Sequence, residues 1–136
     1  MKKIIIVFAM MLSIGVSVNA QVSVIANKSV GESSLVGSKV ASIYSLEATK
    51  WSNGNKIIVF DNNSDVKIVF YGGIGKDQLS LKKEWMKKQL TGEARAPEAL
   101  GSDSDVINKV AATPGAIGFV KSANVTGSVK VLCEIK

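Results

Sequence analysis

The side chains best placed for chemistry are hydroxyls and amides in polar turns: Ser33-Ser34, the run Asp61-Asn62-Asn63-Ser64, and Thr91. A serine or threonine hydroxyl becomes a nucleophile only when a base within reach takes its proton. The sequence has no histidine and one cysteine, Cys133. Imidazole general bases, Ser-His and Cys-His dyads and ordinary zinc sites are thereby excluded together. The lysines and carboxylates are scattered, and none is spaced as a base for Ser33, Ser34 or Thr91. The expectation is a non-enzymatic chain with no metal and no cofactor.

Cys133 does not change this. It lies in Val129-Lys130-Val131-Leu132-Cys133-Glu134-Ile135, whose alternation predicts a half-buried strand with Cys133 on the face of Val129, Val131 and Ile135. A thiol so placed acts as a small hydrophobe. Lys82, Lys83, Lys87 and Lys88 flank Trp85; the cluster reads as a solvated helix face, with contact to acidic surfaces or anionic lipid as the alternative. No aromatic-rich stacking surface accompanies it, so nucleic acid is not an expected partner.

Those residues must be carried by a single core, because 136 residues fit one domain. The first twenty read as a secretory leader: Lys2-Lys3, the apolar run Ile4 to Ile14, then Val18-Asn19-Ala20 with small residues at −3 and −1. Cleavage is expected at Ala20-Gln21, which leaves a mildly basic mature domain, residues 21–136, in the periplasm or outside the cell.

Along that domain, Val22 to Ala26 reads as a strand, and Ser38 opens a helix whose Val40, Ile43 and Tyr44 form one stripe. Asn53-Gly54 is a turn, followed by a strand from Lys56 to Phe60. Asp61-Asn62-Asn63-Ser64 is a cluster of helix-capping residues, yet Val66 to Tyr71 after it has β propensity, and propensity alone gives a hairpin here. Leu79 to Leu90 predicts a helix with Leu81, Trp85, Met86 and Leu90 opposite the lysines, and Gly92 to Leu100 a loop. Ser102 with Asp105 approximates a capping box for a helix that buries Val106, Ile107 and Val110. Pro114-Gly115 predicts a type II turn into a strand from Ala116 to Val120, and Ser128 to Ile135 closes the chain. The alternation of elements predicts an α/β fold with a mostly parallel or mixed sheet.

Several of these segments stand in an order that resembles the phosphate ABC transporter substrate-binding proteins, in particular short single-domain members with a type II periplasmic-binding-protein fold. They are Ser42-Ile43-Tyr44-Ser45 with Lys50-Trp51-Ser52-Asn53-Gly54, Leu90-Thr91-Gly92-Glu93 with Pro97, and Thr113-Pro114-Gly115-Ala116-Ile117-Gly118-Phe119-Val120. The resemblance implies a single-lobe α/β domain with a mixed sheet flanked by helices. It also implies that Ser64 caps a helix over Asp65 to Tyr71, in place of the hairpin.

In that family the corresponding strand-to-helix turn, Arg-Ser-Asp-Gly-Ser-Gly-Thr, holds the anion through hydroxyls and backbone N–H groups, which carry partial positive charge at a helix start. The resemblance therefore implies an oxyanion, phosphate among the candidates, at helix starts near Ser33, Ser34, Asn62, Asn63 and Ser64. The family's arginine and both glycines have no counterpart in Val59-Phe60-Asp61-Asn62-Asn63-Ser64-Asp65, where Asp65 reads as a further capping residue. The chain corresponds to one lobe of a two-lobed clamp, so a homodimer or partner protein is expected to complete the cleft, with an ABC permease as the transport partner. A binding-fold module that holds no small ligand and works through protein or envelope contacts is the alternative.

Overall fold

The computed structural model describes residues 21–135; the leader and its cleavage point at Ala20-Gln21 lie outside the described residues. Five strands and four helices follow in the order β1 (Val22–Ala26), α1 (Gly37–Tyr44), β2 (Ile58–Asn62), α2 (Val66–Gly73), α3 (Gln78–Leu90), β3 (Glu98–Leu100), α4 (Asp103–Ala112), β4 (Ala116–Lys121) and β5 (Lys130–Ile135), with a 3-10 turn at Ser122–Asn124. The strands form one sheet in the order β3-β2-β4-β1-β5. The sheet is mixed: β2 runs parallel to β3 and β4, while β1 is antiparallel to β4 and β5.

Alternate residues of the central strands supply two separate cores, as a sheet covered on both faces requires. Val22, Val24, Ala26, Ile117 and Phe119 face α1, α2 and α3, where Tyr44, Phe70, Tyr71, Leu81 and Trp85 pack. Ile25, Phe60, Ala116 and Val120 face α4 with Val106, Ile107 and Val110. All described strands and helices and both cores fall within residues 22–135.

Val66 to Tyr71 is helical, so the hairpin given by local propensity is wrong. The decisive contribution is tertiary: Val66, Phe70 and Tyr71 are buried together, and Phe70 stacks on Phe119 with ring centroids 3.8 Å apart. Burial of this size exceeds propensity differences worth under about 1 kcal/mol per residue. The expected capping does not occur: Asp65 occupies the N-cap with helical φ and ψ and makes no side-chain cap bond, and Ser64 lies one residue before it. Ser102 does cap α4, its hydroxyl accepting from Asp105 N at 3.2 Å.

Other boundaries moved for identifiable reasons. Lys56 pairs with Lys50 in an isolated bridge instead of opening β2. The expected loop from Gly92 to Leu100 ends in the short strand β3, added to the exposed side of β2. In β5 the pairing to β1 shifts at Val24/Ile25, so that Leu132 is bulged inward and buried while Val131 is exposed. The bulge breaks the simple alternation expected around Cys133, which ends up half-buried. On α3, Met86 and Leu90 point to solvent and only Leu81 and Trp85 are buried.

The turn at Pro114-Gly115 forms as predicted, with Gly115 at φ +78° and Ala116 N bonded to Thr113 O. Gly118 serves a different purpose. A Cβ there would stand 2.7 Å from Val106 Cγ1 and 3.1 Å from Val110 Cγ2, so its absence sets how closely α4 approaches the sheet. Gly118→Ala is expected to destabilise the domain by about 1–3 kcal/mol in urea unfolding, as overpacking does. Gly37→Ala, where a Cβ meets nothing, is the control that stays near wild type.

Candidate functional site

The carboxyl end of β2 and the turn into α2 carry three of the sequence-predicted residues. Asn62 is fully buried at the last position of the strand. Its Oδ1 accepts from Ser64 N at 3.1 Å, which folds the turn back on itself, and its Nδ2 donates to Phe119 O at 2.9 Å. That amide also donates to Asp103 Oδ1, at 2.7 Å. Ser64 Oγ donates to the same oxygen at 3.4 Å. Asn63 is exposed instead, and its Oδ1 accepts from Lys67 Nζ.

Asp103 was not among the residues singled out from the sequence, yet it is where the site converges. It is the first residue of α4, just past the Ser102 cap. While Oδ1 faces Asn62 and Ser64, Oδ2 accepts from Lys121 N at 3.0 Å and Asn124 Nδ2 at 2.8 Å. Four donors from the β2–α2 turn, the end of β4 and the 3-10 turn therefore surround one carboxylate at a helix start, the arrangement that suits an anion. Partial burial would raise its pKa, but the hydrogen bonds from Asn124, Asn62, Lys121 N and Ser64 outweigh this and hold it below the usual carboxylate range. The only signal in the sequence was the cap: an Asp immediately after Ser102 fixes the helix start, but not what faces it.

A second carboxylate, Asp61, lies buried beneath the turn. Its Oδ1 accepts from Asn62 N at 2.9 Å and from the Tyr71 hydroxyl at 2.6 Å. Burial, followed by the charge of Asp61, pushes the Tyr71 hydroxyl far above its ordinary pKa, so Tyr71 remains a neutral donor. Beside this region a groove of about 400 Å³ is lined by Asp103, Ser104, Ile107, Asn108, Asn124, Thr126 and Ser128.

Ser33 and Ser34 lie elsewhere. They are exposed in the loop before α1, whose N-cap is Val36, and no hydrogen bond joins them to residues 62–64 among the described residues. The adjoining Leu35 N bonds to Leu132 O on β5. That strand stands three places from β2 in the sheet, on the order of 14 Å away. Asn62 and Ser64 are thus brought together around Asp103, Asn63 turns outward, and the two serines form no part of that cluster. Among the described residues there is no group of three or more His, Cys, Asp or Glu side chains able to hold a metal.

No protein-family model matches the chain, and no curated protein matches it. Solved structures do. A protein described as a phosphate ABC transporter substrate-binding protein with bound phosphate, from Clostridium perfringens, superposes with a TM-score of 0.69 at 17% identity, over 83% of this chain and 45% of that one. An ABC-type phosphate transport receptor from Vibrio cholerae gives 0.64 at 18%, over 83% and 47%. PstS from Borrelia burgdorferi gives 0.59 at 18%, over the same shares. The fold is that of these binding proteins, and the chain spans about half their length.

The carboxylate cluster makes a pH prediction with a definite sign. The folded-state pKa of Asp103 is depressed, so its contribution to stability is complete above the ordinary carboxylate pKa of 3.8 and is lost as pH falls through the lower folded value. In acid unfolding followed by circular dichroism, Asp103→Asn is expected to be less stable than wild type at neutral pH. The gap should narrow below about pH 4.

Proposed function

We propose that this chain is an exported, non-enzymatic binding domain built on one lobe of the phosphate-binding-protein fold, in which Asp103 takes the place of a free oxyanion and the domain works through a partner. The observation that carries the reading is that the donors of the predicted anion site, Asn62 Nδ2 and Ser64 Oγ, converge with Lys121 N and Asn124 Nδ2 on the domain's own carboxylate. A phosphate approaching the same donors meets negative charge in place of an arginine, with Asp61 buried behind it. A single lobe also covers one side of a ligand only, leaving a dianion largely solvated. The apolar leader at residues 1–20 supports export to the periplasm or beyond.

A second reading rests on the C. perfringens neighbour, whose structure holds phosphate. On this reading Asp103 marks the anion's place and swings aside when phosphate or a related oxyanion binds to Asn62, Asn63 and Ser64. A second copy or a partner protein would then close the cleft, and an ABC permease would be the transport partner.

Calorimetry separates the two. Residues 21–136 titrated with phosphate and sulfate are expected to give no binding heat at millimolar anion, whereas Asp103→Ala, with its donors released, gains weak phosphate binding and is stabilised by phosphate in thermal unfolding. Phosphate binding by the wild type that Ser64→Ala weakens would establish the second reading in its place.

A further inference from the structure

Helix α3 is apolar on two opposite sides. Leu81 and Trp85 face the core, with Trp85 Nε1 donating to Tyr44 O at 2.6 Å, and this fixes which side of the helix points outward. On that outer side Leu79 is 65%, Met86 65% and Leu90 82% exposed. These positions are i, i+7 and i+11, so at about 100° per residue they fall within an arc of roughly 40° and form one continuous ridge. The same geometry places Lys82 along one edge of the ridge and Lys83 and Lys87 along the other, all three exposed. Lys88 is turned inward, its Nζ donating to Ser45 O and Leu46 O at the end of α1. Glu84 projects on the flank between Lys87 and Lys88, away from the ridge.

We propose that this face of α3 rests on an anionic lipid surface, with Leu79, Met86 and Leu90 entering the boundary between headgroups and acyl chains and Lys82, Lys83 and Lys87 meeting the headgroup phosphates. Charge complementarity selects this occupant. An apolar ridge bordered on both edges by exposed lysines is the pattern of an interfacial helix. A second copy of the same face would set the three lysines against their like, with a ridge only three side chains long to offset the repulsion. No described helix is long and apolar enough to cross a membrane, so the contact is peripheral. It also lies on the opposite side of the sheet from α4 and Asp103, and does not depend on whether that cluster holds an anion.

The test is vesicle co-sedimentation of residues 21–136, which carry both described cores and lack the apolar run Ile4 to Ile14 that would itself partition into lipid. A circular dichroism spectrum with helix and strand content checks that the sample is folded. The protein is expected to sediment with phosphatidylglycerol-rich vesicles at low salt, to be released by high salt, and to ignore pure phosphatidylcholine. Replacing Lys82, Lys83 and Lys87 together by Gln should lower the partition coefficient roughly a hundredfold, at about fivefold per lysine. The triple variant Leu79→Ser, Met86→Ser, Leu90→Ser should lose binding while keeping the wild-type circular dichroism spectrum. Leu90→Trp should shift its emission to the blue on binding. Failure of the wild type to bind anionic vesicles, equal binding to both lipids, or full binding by the serine variant would overturn the proposal. So would stripe-dependent self-association in sedimentation velocity without vesicle binding, which would make a second copy the occupant.

Discussion

One carboxylate ties the candidate site of this domain together. Asp103 stands at the start of α4 and gathers donors from the β2–α2 turn, from the last residue of β4 and from the 3-10 turn that follows it. The turn is far in sequence from the other two segments, which adjoin each other. Removing the carboxylate would leave the Nδ2 group of fully buried Asn62 one bond short, a loss of about 1–3 kcal/mol where a buried donor goes unsatisfied. The carboxylate therefore helps to set the geometry of the turn.

The turn rests in its place because an aromatic cluster holds the helices above it. Tyr44 of α1, Phe70 and Tyr71 of α2 and Phe119 of β4 pack mostly edge to face, with centroids 4.8–6.2 Å apart around the Phe70–Phe119 stack. Each polar tip has a partner: Tyr44 Oη donates to Phe60 O, and Tyr71 Oη to Asp61. The aromatic groups thus join the sheet to α1 and α2 while satisfying the carboxyl end of β2, so fold and site share the same contacts. The outer side of α3, like Ile68 on α2, is left exposed in this layer.

Much of the architecture was legible in the sequence because it rests on local patterns. β1, α4 and the type II turn before β4 appeared as read from β-branched runs, a Ser-capped stripe and Pro-Gly. The fold itself followed from the order of motifs. Of the residues singled out as a candidate site, Asn62 and Ser64 cluster, while Ser33 and Ser34 sit in the loop before α1. The two were placed together because both precede helices, a similarity that carries no information about distance.

What the sequence determined by itself, then, was the exclusion of imidazole chemistry and those elements that carry strong local signals, β1, α4 and the Pro114-Gly115 turn. The absence of histidine excludes Ser-His and Cys-His dyads whatever the fold, because no arrangement can supply a group that is missing. Tertiary structure decided the rest. It made Val66 to Tyr71 a helix, since burial against Phe119 exceeds a weak local preference for strand. It turned Met86 and Leu90 outward, since Leu81 and Trp85 had already claimed the one face of α3 that meets the core. Finally it brought Asp103 to Asn62, forty-one positions away, and a contact across that separation depends on how the sheet orders its strands, which no local pattern encodes.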